Sequence, residues 1–177
     1  MHATVLRLAT CTLRPLVPGD APSIARHADD RRVSRNLRDR FPFPYAEQDA
    51  LDFIAFLELD EQQVQFEIEV DGAIVGGVGL GRQDDVERHA AELGYWLGAA
   101  YWGRGIMPEA VRAVTEHAHR DLGILRVFAK VYEGNVQSER VLEKAGFRRE
   151  ARLQAAIMKD GRILDAHLFA HVAIPGG

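Results

Sequence analysis

The sequence predicts an α/β domain of the α+β type, with one mixed sheet of about seven strands and about four helices on its faces. Three observations lead to this prediction. Strand-like and helix-like periodicities alternate along the 177 residues. The hydrophobic content of 47% and the charged content of 27% are typical of a globular protein with a substantial core. No linker, repeat or low-complexity tract divides the chain, so we expect one domain over residues 1–177.

The first predicted elements are a strand and two helices. The pattern over residues 12–16 predicts a strand. Asp20 is a suitable N-cap for a helix that ends near Ala28. Two prolines between Phe41 and Pro44 exclude a helix there and predict an extended loop. Apolar residues at helical spacing predict a second helix over residues 50–57.

A hairpin follows. Its strands lie at residues 66–70 and 74–78, and Asp71-Gly72 between them is typical of a tight turn. A further strand over residues 91–97 leads into a glycine loop and the third helix.

The last part of the chain predicts a strand, a short helix and two strands. The first strand covers residues 125–132. Asn135 is placed to N-cap the helix, and Gly146 fits the position after its end. Asp160-Gly161 joins the two final strands.

The glycine loop, which runs from Tyr101 to Ala110, suggests an anion site. Gly103 and Gly105 precede a helix whose apolar stripe begins at Met107. Backbone N–H groups and the helix dipole favour negative charge at such a helix start, with phosphate as the natural ligand. A tight turn for close packing explains the same residues. The loop lacks the features of a P-loop or a dinucleotide fingerprint.

Composition limits the classes of partner. A net charge of −4 and a pI near 6.0 argue against a nucleic-acid binder. No apolar run approaches the ~18 residues of a membrane span, and we expect no signal peptide. The single cysteine, Cys11, excludes an intrachain disulfide and predicts a cytoplasmic location.

A cluster of arginines lies between the first two predicted helices, at positions 31, 32, 35, 38 and 40. Aspartates at positions 29, 30 and 39 lie beside them. The mixed charges favour a solvated loop, and the alternative is a basic rim that receives an acidic substrate or cofactor phosphates.

Three segments in order resemble the GNAT superfamily of N-acetyltransferases, in particular the RimJ/RimL type that acts on ribosomal proteins. They are Glu92–Leu97, Tyr101–Gly105, and Asn135 to Phe147 with Ser138 inside. The similarity covers nearly the whole chain. It implies a single-domain GNAT fold with a mixed, mostly antiparallel, seven-stranded sheet.

The resemblance implies acetyl-CoA as acyl donor, and no metal. Gly105 matches the invariant glycine of the family's loop, and Met107 replaces an expected glycine or alanine. Loop contacts are mainly from the backbone, so a larger side chain is tolerated if it points into the core. Met107 begins the apolar stripe, so we expect its side chain to do so. The implied cofactor-binding residues are Trp96, Leu97, Trp102, Gly103, Arg104, Gly105, Ile106, Met107, Asn135 and Ser138.

The resemblance also implies two catalytic residues. Glu92 is expected to act as a base through water, although a strand glutamate paired with an arginine explains it too. Ser138 is expected to hydrogen-bond the departing sulfur, because the position that carries a tyrosine in many relatives is Leu142 here. Ser138 also suits a first helical turn. Asn135 has two roles to reconcile, as an N-cap and as a contact to the pantetheine arm.

The acceptor site is less constrained by the sequence. Arg35, Phe43 and Tyr45 are expected to bind substrate, and the aromatic pair serves equally well as core anchors. His167 and His171 would lie about 13 Å apart along a strand, too far to share a metal ion.

We therefore expect an N-acetyltransferase that transfers directly from acetyl-CoA to a primary amine, with a protein N-terminus as the acceptor. A small-molecule amine or a non-catalytic acyl-CoA-binding module is the alternative. We expect no nucleic-acid or membrane partner, and a monomer or homodimer.

Overall fold

The computed structural model describes residues 4–173. Residues 1–3 and 174–177, which include both ends of the predicted domain, lie outside this part of the chain. The described residues form eight strands and five α-helices. The strands are β1 (Leu6–Arg7), β2 (Thr12–Arg14), β3 (Gln63–Val70), β4 (Ala73–Arg82), β5 (Ala90–Leu97), β6 (Arg126–Tyr132), β7 (Arg148–Lys159) and β8 (Arg162–Val172). The helices are α1 (Ala21–Ala28), α2 (Arg31–Ser34), α3 (Glu47–Leu59), α4 (Ile106–Asp121) and α5 (Val136–Lys144).

The strands form one sheet in the order β1-β2-β3-β4-β5-β6-β8-β7. All neighbours are antiparallel except β5 and β6. The mixed, mostly antiparallel sheet is confirmed, but it has eight strands rather than seven. The additional strand, β1, is only two residues long, too short for a sequence pattern. The additional helix, α2, has one turn and lies in the predicted arginine-rich loop.

Local turn signals account for most element boundaries. Asp71 and Gly72 have φ of 51° and 79°, and Asp160 and Gly161 have φ of 49° and 72°, as a hairpin turn of the predicted kind requires. Gly146 has φ of 93°, where only glycine avoids steric cost, and it ends α5 as predicted.

Asp20 occupies the predicted N-cap position of α1, but its side chain makes no hydrogen bond to the N–H groups of that helix. Its carboxylate accepts a hydrogen bond from the Val17 N–H at 2.9 Å and pairs with Arg14 at 2.7 Å. A charged partner within reach competes successfully with the helix N–H groups for a carboxylate.

The core has two parts on opposite faces of the sheet. The larger packs α4 and α5 against the strands and contains Val111, Leu142 and Phe169. The smaller packs α1 and α3 against the other face and contains Ile24 and Ile74. Among residues 4–173, no helix combines the length and apolar character that a membrane-spanning helix needs.

Candidate active site

The site begins where two neighbouring strands separate. β5 and β6 are parallel and pair only from Ala90↔Arg126 to Glu92↔Phe128. Beyond Glu92 the two strands continue without pairing, and a gap opens between them. Parallel strands pair along their length when nothing intervenes, so the gap leaves backbone groups of both strands free for another molecule.

A cleft of about 1460 Å³ passes through the sheet at this gap. Neighbouring residues on a strand point to opposite faces, and both sets line the cleft. Leu93 and Val131 line it on the α4 and α5 face, which we call the donor half. Gly94 and Lys130 line it on the α1 and α3 face, which we call the acceptor half.

The glycine loop forms one end of the donor half. Gly103 and Gly105 have φ of 74° and 77°, and a Cβ at either position would meet no atom within 4 Å. The loop is therefore open above these glycines, and the first N–H groups of α4 face this space without helical acceptors. Ile106 and Met107 are 2% and 5% exposed and pack into the core, so the side chain of Met107 does not narrow the loop.

Trp102 closes the loop back onto β5. Its indole Nε1 donates a hydrogen bond to the Leu97 carbonyl at 2.8 Å. The Gly98 N–H donates a hydrogen bond to the Val75 carbonyl on β4 at 2.8 Å. In an antiparallel pair, successive residues point their backbone N–H groups alternately toward and away from the neighbouring strand. The N–H of Leu97, the residue before Gly98, therefore points away from β4, toward the gap. By the same alternation the backbone of Trp96 faces β4, and its side chain lies in the acceptor half.

Ser138 and Asn135 come together at the start of α5. The Asn135 side chain accepts a hydrogen bond from the Ser138 N–H at 3.3 Å, which confirms the predicted N-cap. The cap occupies the amide oxygen and leaves the amide NH₂ group as the part of Asn135 that can serve a ligand.

The Ser138 hydroxyl has a partner that the sequence analysis missed. The Tyr95 hydroxyl lies 2.6 Å from Ser138 Oγ, and burial raises the pKa of this tyrosine well above its ordinary value. Leu142 is fully buried at the place where many relatives carry a tyrosine. Tyr95 comes from β5 instead, and only the packing of β5 against α5 brings the two hydroxyl groups together.

Glu92 lies in the acceptor half and is the last residue of β5 that pairs with β6. Its Oε1 is 2.7 Å from the Arg38 guanidinium and 3.8 Å from Lys130 Nζ. Its side chain keeps 21% of its surface exposed to the cleft. The structure therefore shows the pairing with an arginine, and the role of Glu92 as a base stays a prediction.

A second carboxyl of the acceptor half was not identified from the sequence. Glu67 on β3 is 1% exposed, and burial raises its pKa to about 8. Its Oε1 accepts a hydrogen bond from Gln65 Nε2 at 2.8 Å, while Oε2 has no partner within the described residues. No sequence pattern identifies this carboxyl, because its burial depends on the strand register that places Glu67 opposite Gly77.

The structure places one of the three predicted substrate residues at the cleft and the other two outside it. Tyr45 lines the cleft and is 8% exposed, and burial raises its pKa to about 12. Arg35 and Phe43 are exposed and lie outside the cleft lining; the Arg31 guanidinium stacks 5.7 Å from the Phe43 ring. Arg38 is the cluster member that reaches the catalytic candidates.

The histidines have other partners. His167 pairs with Glu139, and His171 Nδ1 lies 2.9 Å from His119 Nε2. Within residues 4–173, no group of three or more potential ligands is arranged to hold a metal ion.

Comparisons with known proteins identify the family. A family profile described as "Acetyltransferase (GNAT) domain" matches residues 11–148. The chain therefore belongs to the GNAT acetyltransferase family, and it is an acyltransferase of the N-acetyltransferase type.

Individual relatives agree with this assignment. The "Uncharacterized N-acetyltransferase p20" of Bacillus licheniformis is 30% identical over 163 residues, which is 90% of each chain. The "Ribosomal-protein-serine acetyltransferase" of Escherichia coli is 28% identical over 107 residues, covering 60% of this chain and 59% of that protein. The solved structure "Mycobacterium smegmatis RimJ in complex with CoA-disulfide" has a TM-score of 0.86 and 26% identity, covering 97% of this chain and 87% of that one.

The donor half fits the acyl donor that family membership implies. Acetyl-CoA needs an anion site for its pyrophosphate and free polar groups near its thioester. The open loop at Gly103 and Gly105 meets the first need at the start of a long helix. The Leu97 N–H and the Ser138 hydroxyl, both at the gap, meet the second.

Proposed function

We propose that this enzyme acetylates the N-terminal α-amine of a polypeptide, with direct transfer from acetyl-CoA. The observation that carries the proposal is the cleft through the sheet, because it lets donor and acceptor approach the gap from opposite faces. The ribosomal-protein acetyltransferases among the relatives support the same class of acceptor.

The energetics of the amine also favour an α-amine. At pH 7, removing the proton of an α-amine with a pKa near 8 costs about 1.4 kcal/mol, whereas a lysine costs about 4.6 kcal/mol. A base that works through water is sufficient for the smaller cost. A small-molecule amine with a low pKa is the competing acceptor.

We propose that Glu92 accepts the proton of the acceptor amine through a water molecule. The Glu92 side chain is 21% exposed and faces the cleft, where its carboxylate can receive the proton through a water. Arg38 and Lys130 hold the carboxylate at the cleft wall, and they disfavour an additional positive charge beside them.

We propose that the Ser138 hydroxyl donates a hydrogen bond to the departing sulfur of coenzyme A, and that Tyr95 positions this hydroxyl. When the Tyr95 hydroxyl donates to Ser138 Oγ, the serine proton is free to point into the cleft. Acetyl-CoA supplies the activated acyl group when bound. We propose that the Leu97 N–H donates a hydrogen bond to the carbonyl oxygen of the acetyl-CoA thioester. The loop from Trp102 to Met107, with Arg104 at its exposed side, is proposed to bind the pyrophosphate of acetyl-CoA. Cytoplasmic location and the monomeric or dimeric state stay predictions.

A panel of amines and peptides, scored by release of free thiol from acetyl-CoA, tests the function. We expect release with peptides that have a free α-amine. Release with small amines alone would move the acceptor class to small molecules, and no release with any acceptor would contradict transferase chemistry at this site.

A further inference from the structure

The turn from Arg38 to Phe41 forms part of the wall of the acceptor half. The Phe41 N–H closes this turn by donating a hydrogen bond to the Arg38 carbonyl at 2.9 Å. The Arg38 guanidinium pairs with the Glu92 carboxylate on β5 at 2.7 Å. The Phe41 ring packs against Trp96 on the same strand, with ring centroids 5.6 Å apart. We call residues 38–41 the arginine turn, and both of its ends rest on β5.

The middle of the arginine turn is attached to another part of the sheet. The exposed carboxylate of Asp39 lies 2.7 Å from Nζ of Lys159, the last residue of β7. Lys159 is buried, and a lysine is seldom buried without a charged partner. The sheet order places β6 and β8 between β5 and β7. The arginine turn therefore joins two strands that do not pair with each other.

This attachment bears on the orientation of Glu92. A guanidinium presents a planar fork of N–H donors, which fixes the orientation of a carboxylate beside it. The Arg38 side chain is long and 55% exposed, so ordering it costs conformational entropy that a fixed backbone reduces. A base that works through water must hold its carboxylate in one orientation, because a misplaced catalytic group loses rate steeply. Asp39 is next to Arg38 in the chain and fixes its backbone from the opposite side.

A second ion pair joins the same two segments away from the base. Arg31 at the start of α2 pairs with Asp160, the residue after Lys159, at 2.5 Å. Both side chains are about half exposed, and neither residue is among those that line the cleft. Exposed pairs of this kind contribute little to stability. The pair Arg31–Asp160 is therefore a matched comparison for the pair Asp39–Lys159.

We propose that Asp39 and Lys159 are positioning residues for the base, because they fix the arginine turn from which Arg38 orients Glu92. The proposal rests on the proposed function, in which Glu92 takes the proton of the amine, and goes beyond it by assigning two residues outside the cleft lining. Their effect on the reaction must pass through Arg38, and this requirement makes the proposal testable.

The first test replaces Asp39 and measures thiol release from acetyl-CoA with a peptide amide that has a free α-amine. Asp39→Asn should lower kcat by about tenfold, less than the 10²-fold that a displacement of 1 Å can cost. The KM for acetyl-CoA should stay within about twofold, since the donor half is unchanged. Asp39→Glu retains the ion pair and should keep kcat within about threefold of the wild type.

The second test separates a positioning role from a general structural one. Arg38→Met should lower kcat by about tenfold or more, because it removes the group that orients Glu92. The double variant with Asp39→Asn should have the kcat of Arg38→Met within about twofold, since the effect of Asp39 is already lost. Losses that multiply in the double variant would show that Asp39 acts independently of Arg38 and would overturn the proposal.

The third test approaches the pair from the hairpin. Lys159→Met removes the buried charge and retains the apolar stem, so it avoids leaving an unpaired ammonium in the protein. It should reproduce the loss in kcat of Asp39→Asn. The control Asp160→Asn breaks the neighbouring pair and should leave kcat within about twofold. An equal loss in the control would attribute the effect to a loosened hairpin and would overturn the proposal. Thermal stabilisation by acetyl-CoA verifies that each variant is folded.

The outcomes distinguish this proposal from the proposed function. If Glu92→Gln retains the wild-type kcat, Glu92 is not the base, and the positioning role of Asp39 and Lys159 fails with it. If Glu92→Gln loses activity while Asp39→Asn and Lys159→Met retain the wild-type kcat, the positioning role alone fails and the proposed function stands.

Discussion

The donor and acceptor halves of the cleft are assembled in different ways. The donor half is built mainly from two short runs of sequence, Trp102–Met107 and Asn135–Ser138, each at the start of a helix. The acceptor half combines side chains of β3, β5, α3 and the arginine-rich segment, which are far apart in the chain. Helix starts create binding groups locally, whereas the acceptor half exists only after the strands have paired in register.

The two halves of the cleft also differ in their ionisable groups. Near the gap, the donor half relies on neutral hydroxyl and backbone groups, such as the pair Tyr95 and Ser138. Two carboxyl groups of the acceptor half, those of Glu92 and Glu67, have different surroundings. Glu92 pairs with Arg38 and Lys130, while Glu67 is buried with one oxygen unpartnered. Substitutions in the donor half should therefore affect every acceptor alike, and those in the acceptor half should discriminate among acceptors.

The largest effect is expected on the pH dependence of stability. Burial raises the pKa of Glu67 from 4.5 to about 8. Between these values the unfolded chain releases the proton that the folded protein retains, so rising pH lowers the free energy of unfolding. The loss should be roughly 1.4 kcal/mol per pH unit and should stop above pH 8.

Urea unfolding of the wild type and Glu67→Gln at pH 5.5, 6.5 and 7.5 measures this contribution. The variant should lack it, so its stability relative to the wild type should rise with pH. Glu69→Gln is the control, because Glu69 lies on the same strand in an ion pair with Arg14. Parallel pH profiles for the wild type and Glu67→Gln would show that this carboxyl is not buried as described.

The next effect concerns the base. Glu92→Gln should lower kcat by about 10²-fold or more with all acceptors, because general base catalysis contributes at least that much. The rate of thiol release from pH 6 to 9 measures it, with Glu87→Gln on the exposed surface as control. An unchanged pH–rate profile would remove Glu92 as the base, and a lost pH limb in Glu67→Gln would transfer the role to Glu67.

A smaller effect is expected at the sulfur. Ser138→Ala should lower kcat by about tenfold, the worth of one hydrogen bond to a charged group. Tyr95→Phe should lower kcat by less, since it removes only the group that orients Ser138. A wild-type kcat in Ser138→Ala would show that Ser138 has no role at the sulfur and serves only in the first turn of α5.

The smallest effect is expected at the helix cap. Asn135→Ala removes the side chain that accepts from the Ser138 N–H and should cost about 1 kcal/mol of stability. Asn135→Asp retains the cap and loses the amide NH₂ group. If the KM for acetyl-CoA rises in both variants, the Asn135 amide NH₂ group contacts the cofactor. If the KM rises in Asn135→Ala alone, the side chain serves only to cap the helix.

This contrast explains what the sequence could predict. Gly105, Asn135 and Gly146 act within a few residues of their own helices, so their patterns predicted the loop, the cap and the end of α5. The pairs Tyr95–Ser138 and Glu67–Gly77 join different elements. Their contacts depend on strand register and helix packing, which no local pattern encodes. The two-residue β1 and one-turn α2 were missed because they are too short to show a period.

The most direct test of the central claim uses two peptides of identical sequence. One has a free α-amine and an acetylated lysine, and the other has an acetylated α-amine and a free lysine. Mass spectrometry after incubation with acetyl-CoA locates the added acetyl group. We predict acetylation of the first peptide at its α-amine and no change in the second. Acetylation of the second peptide alone would contradict an enzyme built for N-terminal amines.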